Sequence, residues 1–205
     1  KYQTILDEII PGERGTSIEA RILAYRGYAH LGLGDLEKAR EMLQQALAQE
    51  PQDLKALMGT ALLLRAQGDP VAAEKRTDEL LALEPQYTDA LLMKAELRRT
   101  DNDVDAAIEY FGKTIDSDPN NIPARIGRAL LLVTRDEDDK ARADVTAVQR
   151  QVPQHPLAAY VQALLLAKQD RRDEAITTLM GTGDFLRSYP AGLYLMASLQ
   201  IAKNQ

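Results

Sequence analysis

The stretch "ALAQEPQDLKALMGTALLLRAQGD", residues 46–69, decides how this chain is to be read. Two apolar helical segments are broken by one proline, Pro51, and the second closes on Gly68-Asp69. Proline cannot continue a helix, and glycine tolerates the left-handed conformation that ends one. The stretch is either a single turn between two helices or part of a unit that recurs.

It recurs. Pro51, Pro85, Pro119 and Pro153 stand 34 residues apart, and Ala39, Ala73, Ala107, Ala141 and Ala175 keep the same interval. A third series runs Gly27, Ala61, Ala95, Ala129, Ala163 and Ala197. A fourth marks turns: Gly34-Asp35, Gly68-Asp69, Asn102-Asp103, Asp136-Glu137 and Asp170-Arg171. Small residues at fixed places let two helices approach where a larger side chain would hold them apart. Gly or Asn ends a helix, and the Asp that follows caps the free N–H groups of the next. Pro70 suits a first helical position, where its missing N–H costs nothing. Thr16 with Glu19 has the form of a capping box.

Composition agrees with an all-α chain. Of 205 residues, 45% are hydrophobic and 27% charged, which argues against disorder. Only 12 Gly and 9 Pro punctuate the sequence, few for an all-β protein, and aromatics supply 5%. The net charge of −6 repels a phosphate backbone, so nucleic acid is not an expected partner. The absence of cysteine excludes disulfides, thiolate metal sites and cysteine nucleophiles. No run approaches the ~20 apolar residues of a membrane span. The start, "KYQTILDEII", has no initiator Met and no signal-peptide pattern, and reads as the middle of a longer sequence. The residues leave the localisation open.

A 34-residue helix–turn–helix unit with this pattern resembles the tetratricopeptide repeat (TPR) family. The resemblance implies a single solenoid over 1–205, a right-handed α-α superhelix. Its full repeats are 20–53, 54–87, 88–121, 122–155 and 156–189. Residues 1–19 would be a partial repeat and loop, with 2–10 the second helix of a preceding unit, and 190–205 the first helix of a further one. There are departures. The family's large aromatic early in the first helix is Leu23, Leu57, Leu91, Arg125, Ala159 and Leu193, and its next apolar position is Arg26, Thr60, Lys94, Arg128 and Gln162. Gly181 and Gly183 fall inside the fifth unit's second helix, at ~1 kcal/mol each against Ala, and Arg187 replaces the proline. A short or kinked helix is expected there.

Within the family, "NNIPARIGRALLLV" and "HPLAAYVQALLLAKQDRRDEA" are similar to the TPR lipoproteins of bacterial exosortase, or PEP-CTERM, systems. That similarity implies a periplasmic or envelope-anchored lipoprotein in an exopolysaccharide or protein-sorting assembly. A cytoplasmic adaptor and a polysaccharide-associated carrier are the alternatives.

Other motifs fail on inspection. "DNDVDAAIEYFG", 101–112, imitates a calcium loop through Asp101, Asp103 and Asp105, but Ala106 replaces the essential Gly and Gly112 the bidentate Glu. "GKT", 112–114, lacks the earlier glycine and the preceding strand of a phosphate loop. His30 and His155 are the only histidines and stand too far apart to share a metal. His30 falls where the family places an inter-helix Tyr, so a packed, hydrogen-bonded imidazole is expected; His155 precedes Pro156 in a loop. The acidic run "DEDD", 136–139, reads as a solvated turn. No catalytic constellation, metal site or cofactor is expected, and the chain is not read as an enzyme.

The resemblance implies that first helices line a concave groove that binds a protein or peptide. One inward-facing row reads Ala24, Met58, Leu92, Ile126, Tyr160 and Tyr194; the next, four residues on, reads Tyr28, Leu62, Glu96, Leu130, Leu164 and Ser198. A spacing of four keeps both rows on one face. Arg65 and Arg99 make the middle polar, and Tyr160 and Tyr194 supply amphipathic anchors at the C-terminal end. The asparagines, at 102, 120, 121 and 204, fall outside the groove, so the carboxylate clamp of chaperone-binding relatives is not expected. Leu193, Leu195, Met196, Leu199 and Ile201 spread around one helix, and Ile5, Leu6, Ile9 and Ile10 lack a pairing helix. Weak end-to-end self-association of a fragment of a longer array is expected from them.

Overall fold

Five turns set the architecture. Gly34, Gly68, Asn102, Asp136 and Asp170 all have positive φ, between 58° and 80°, at 34-residue intervals. After each, the chain starts a new helix. Asp35, Asp69 and Asp103 accept from the backbone N–H three residues on, whereas Glu137 and Arg171 make no side-chain cap. The other end of each unit is a proline turn. The N–H groups of Asp53, Tyr87, Asn121 and His155 donate to the carbonyls of Glu50, Glu84, Asp118 and Val152, each bridging over the recurring proline.

The computed structural model describes residues 1–9, 12 and 16–203. These hold thirteen helices and no strand. They are α1 (Tyr2–Glu8), α2 (Thr16–Leu33), α3 (Leu36–Gln49), α4 (Leu54–Ala66), α5 (Pro70–Leu83), α6 (Thr88–Thr100) and α7 (Val104–Ser117). There follow α8 (Ile122–Thr134), α9 (Asp138–Gln151), α10 (Pro156–Lys168), α11 (Arg172–Met180), α12 (Asp184–Ser188) and α13 (Pro190–Lys203). Ile10, Asn204 and the side chain of Thr16, and with it the capping box expected there, lie outside the described residues. The Glu19 carboxylate accepts from the Gly12 N–H at 3.2 Å.

By its internal contacts the chain divides into two units, Lys1–Leu97 and Arg98–Gln205. In the first, α1 lies on α2, where the Tyr2 ring fills the space a side chain at Gly32 would take. Arg26 Nη1 donates to the carbonyls of Leu6 and Ile9 and closes the α1 end. The core of this unit is built from Leu23, Ala39, Leu43, Ala56 and Leu63, and from Leu57, Met58, Leu80, Ala90 and Met93. In the second, Ile126, Ala129, Leu132, Val145, Val148 and Leu165 form one cluster, and Ala163, Leu166, Leu179, Leu186 and Leu199 another. Ala61, Ala95, Ala129 and Ala163 are all fully buried, as the small-residue series requires; Ala197 of the same series is exposed. A further buried series, Ala56, Ala90, Ala124 and Ala158, escaped the sequence reading although it keeps the same interval.

The departures from the repeat pattern have structural answers. Lys94 is buried, and its ammonium meets Glu74 and Asp78 at 2.6 Å each. Arg125 and Arg128 converge on Asp144, which is 1% exposed, with three hydrogen bonds of 2.8 Å. Gln162 accepts from Gln149, and the Thr60 hydroxyl donates to the Ala56 carbonyl. Polar residues at an apolar position are therefore paired across or along helices, as burial demands. The fifth unit's second helix is broken: α11 stops at Met180, Gly183 turns the chain at φ 58°, and α12 runs for five residues. Tyr189 then stacks on Phe185 and meets Tyr160 edge-on, each with ring centroids 5.0 Å apart.

Candidate functional site

α4 and α6 carry equivalent faces of two successive first helices, and between them the first unit opens a cleft of about 280 Å³. Met58, Leu62 and Arg65 line it from α4, and Asp89, Leu92, Met93 and Glu96 from α6. The three- and four-residue spacings put each set on one side of its helix. Met58 and Met93 form a buried floor, Leu62 and Leu92 are half-buried walls, and the exposed Arg65 and Asp89 make a charged rim with Glu96. Methionine suits such a floor, since its unbranched thioether adapts to different occupants.

Five of the twelve residues expected to line a groove thus meet in one place: Met58, Leu62, Arg65, Leu92 and Glu96. Tyr28 lies beside them, packed on the Met58 core cluster. The others are placed differently. Ile126 is 5% exposed and belongs to the core of the second unit, with Leu130 half-buried against it, so that position is not open there. Met58, 3% exposed, is likewise a core residue, and it also lines the cleft. Tyr160 is half-buried beneath Tyr189, Leu164 is half-buried, Arg99 is exposed, and Tyr194 stands 77% exposed. The same row changes depth along the chain: Ala24, Met58 and Ile126 are buried, whereas Leu92 and Tyr160 are half-buried.

Sequence reasoning missed two regions. One is a polar cleft of about 310 Å³ among α9, α10 and α11, lined by Gln149, Gln162, Arg171 and Glu174. The other gathers Tyr25, Tyr28, Lys55 and Tyr87 with Asp53 and Asp89 in the first unit. Burial first, and then Asp89 and Asp53, push the Tyr87 phenol up to about 12; burial is also the main cause that raises Tyr28 further. In the second region Asp53 and Tyr87, and Lys55 and Asp89, stand 34 residues apart, but each pair changes residue type, so recurring residue types do not reveal it.

The motifs weighed for other chemistry take structural roles. Asp103 caps α7, Asp101 lies 3.6 Å from Arg98, Asp105 pairs with Arg135, and Ala106 is already helical. Gly112, Lys113 and Thr114 sit within α7, with Lys113 bonded to Glu109 and the Thr114 hydroxyl donating to the Tyr110 carbonyl. His30 is buried as expected, but its Nδ1 has no hydrogen-bond partner and stays 3.7 Å from Asp35. His155 is not merely in a loop: its Nδ1 caps α10 by accepting from the Ala158 N–H. The acidic turn is solvent-exposed at Asp136 and Asp139, as expected, and Lys168 in addition meets Asp136 at 2.7 Å and Asp138 at 2.6 Å. Among the described residues no cluster of three His, Asp or Glu side chains is placed to hold a metal, and no helix is long and apolar enough to cross a membrane.

Comparison with known proteins is consistent with this geometry. A tetratricopeptide repeat family model matches residues 26–76 and 72–122, and a second one matches 99–165. No curated protein matches the chain. Among solved structures, Pseudomonas aeruginosa pilF superposes with a TM-score of 0.74 at 15% identity, covering 92% of each chain. A tetratricopeptide repeat protein from Parabacteroides merdae gives 0.71 at 19% identity, covering 90% of this chain and 73% of that one. YrrB, described as a TPR protein with an unusual peptide-binding site, gives 0.65 at 19% identity over 85% and 90%. The recurring left-handed turns, the buried alanine series and the matched residues together make this chain a member of the tetratricopeptide repeat family.

Proposed function

We propose that the chain is a non-enzymatic scaffold that holds a peptide segment of a partner protein in the cleft between α4 and α6. The observation that carries this reading is the cleft itself: an open groove with half-buried Leu62 and Leu92 as walls and buried Met58 and Met93 beneath, inside a charged rim. An apolar side chain seated there gains ~25 cal/mol per Å² removed from water, while Arg65, Asp89 and Glu96 fix the orientation of the backbone that carries it. The likeness to YrrB supports the reading only as a property of that protein. The test is a selection of displayed peptides on the chain, repeated on Leu62→Glu and Leu92→Glu, both half-buried positions that tolerate a charge without emptying the core. Selected peptides should shift the methyl resonances of Met58 and Met93 and lose binding to either variant. Peptides that bind both variants as well as the parent sequence would place the site elsewhere.

We further propose that the partner belongs to a bacterial envelope assembly of the exosortase type, on the strength of the phrasing at 120–133 and 155–175 alone. Fractionation of the producing cell tests this; recovery with the cytoplasm favours the adaptor reading, and retention on immobilised polysaccharide favours the carrier. Weak self-association through α13 is a subsidiary proposal. It is supported by Leu193 at 45% exposure, Tyr194 at 77% and Ile201 at 62%. Light scattering that reports a strict monomer over a concentration series would exclude it.

A further inference from the structure

The N-terminal end of α4 holds a cation against aromatic rings. The Lys55 ammonium lies 4.4 Å from the ring centroid of Tyr28 and 5.9 Å from that of Tyr25, both on α2. These are cation–π distances. Its carboxylate contact is looser, 3.9 Å to Asp89. Beside it opens a cavity of about 530 Å³, lined by Tyr25, Tyr87, Asp53, Glu50 and Arg21 as well as Lys55 itself. The carboxylates Glu50, Asp53 and Asp89 exceed the cations Arg21 and Lys55 in this neighbourhood, so its field favours one more positive charge. The Tyr28 hydroxyl is buried and has no hydrogen-bond partner, so neither its donor nor its acceptor capacity is met.

Two features coincide here, π faces and surplus carboxylates, around an ammonium that no close ion pair holds. We propose that this cluster is a cation subsite that takes a lysine or arginine side chain of the peptide seated in the α4–α6 cleft. Lys55 occupies the subsite as an internal stand-in until that side chain displaces it. The proposal rests on the reading of the cleft given above, and Asp89 joins the two: it lines the apolar cleft and meets Lys55. The partner segment therefore carries an apolar residue and a basic residue close together. Arginine fits better than lysine, because a planar guanidinium stacks on tyrosine and is more weakly hydrated. Lys55, with 30% of its side chain exposed, can leave for solvent at little cost.

The test uses two probes, N-acetyl-arginine methylamide and N-acetyl-leucine methylamide, each titrated into the whole chain and followed by NMR. The arginine probe should shift the ring resonances of Tyr25 and Tyr87 saturably. Lys55→Met, which removes the competitor, should bind it about three- to tenfold more tightly, and Tyr25→Ala should bind it correspondingly less. Unshifted tyrosine rings in Lys55→Met, or an affinity no higher than that of the parent chain, would overturn the proposal. The leucine probe should shift the Met58 and Met93 methyls and leave Tyr25 unmoved. If it fails while the arginine probe binds, the cleft reading falls and the cation subsite stands without it.

Discussion

Gly127 lies beneath the ring of Phe111: a Cβ added to the glycine would sit 2.4 Å from the Phe111 Cζ atom. Phe111 is fully buried and occupies the α7 position that Leu43, Thr77, Val145 and Leu179 hold in other repeats. Gly59 faces Leu43 in the same way, at 2.6 Å, so a large side chain on the second helix is twice met by a glycine on the next first helix. Gly127→Ala should therefore destabilise the chain by ~1–3 kcal/mol despite alanine's better helix propensity. Adding Phe111→Val should recover part of the loss, since Val145 faces Val161 at the equivalent pair, whereas Leu43 still faces a glycine, Gly59. Urea midpoints measure both, and a single variant as stable as the parent would show that the ring has room to move.

The small-residue series gives a matched pair of substitutions. Ala129 is fully buried where α8 meets α9, while Ala197, the equivalent position on α13, is exposed. Ala129→Leu should cost ~1–3 kcal/mol by overpacking, and Ala197→Leu should lie within ~0.5 kcal/mol of the parent. Equal effects at both positions would mean that the register is wrong.

Asp144 concentrates the polar pairing of the second unit. A carboxylate 1% exposed accepts from Arg125 and from both Nε and Nη2 of Arg128. Asp144→Ala leaves two guanidinium groups facing a buried gap, at a cost of ~3–5 kcal/mol. Thermal unfolding should show a large drop, and Asp144→Asn a smaller one, because the amide oxygen still accepts.

Glu137 begins α9 without a side-chain cap, where Asp35, Asp69 and Asp103 begin their helices with one. Its longer side chain pairs with Lys140 and leaves the first-turn N–H groups without a side-chain acceptor. Glu137→Asp should raise stability by ~0.5–1 kcal/mol, read as a higher denaturant midpoint with an unchanged slope.

His155 makes stability depend on pH. As an acceptor for the Ala158 N–H its Nδ1 must be unprotonated, and burial lowers its pKa below the ordinary 6.5. The folded state then binds the proton less readily than the unfolded one, so the contribution is full above pH ~6.5 and is lost as pH falls through the folded value. Buried His30, lowered by desolvation against the pull of Asp35, acts in the same direction. His155→Asn keeps an acceptor that does not titrate. It should match the parent near pH 7.5 and unfold at a higher temperature than the parent near pH 5.5.

The array was legible because its constraints are local and repeated. Gly34, Gly68 and Asn102 announce left-handed turns by residue type, and interval alone extends the reading to Asp136 and Asp170. What was not legible depends on partners far along the chain. Lys94 looks like a defect until Glu74 and Asp78 are placed on the facing helix, and Arg128 until Asp144 is. Ile126 and Met58 hold equivalent positions and are both nearly buried, at 5% and 3%, so whether such a position lines a cleft is set by the neighbouring helix and not by the residue itself. Tyr25, Lys55 and Tyr87 belong to three different positions of the repeat and meet only in space.

The grip of Lys168 on the acidic turn has counterparts. Arg135 pairs with Asp105, and Lys203 with Asp173, so three times in the second unit the end of a first helix is tied to the start of the preceding second helix. The tied ends carry opposite dipoles, and the ties themselves are solvent-exposed, so salt screens them. The proline turns at Pro119 and Pro153 are fixed by covalent geometry and are indifferent to salt. One edge of the unit is thus a rigid spine and the other an ionic clasp, and raising the ionic strength should let it spread from the clasp side, as a fan opens.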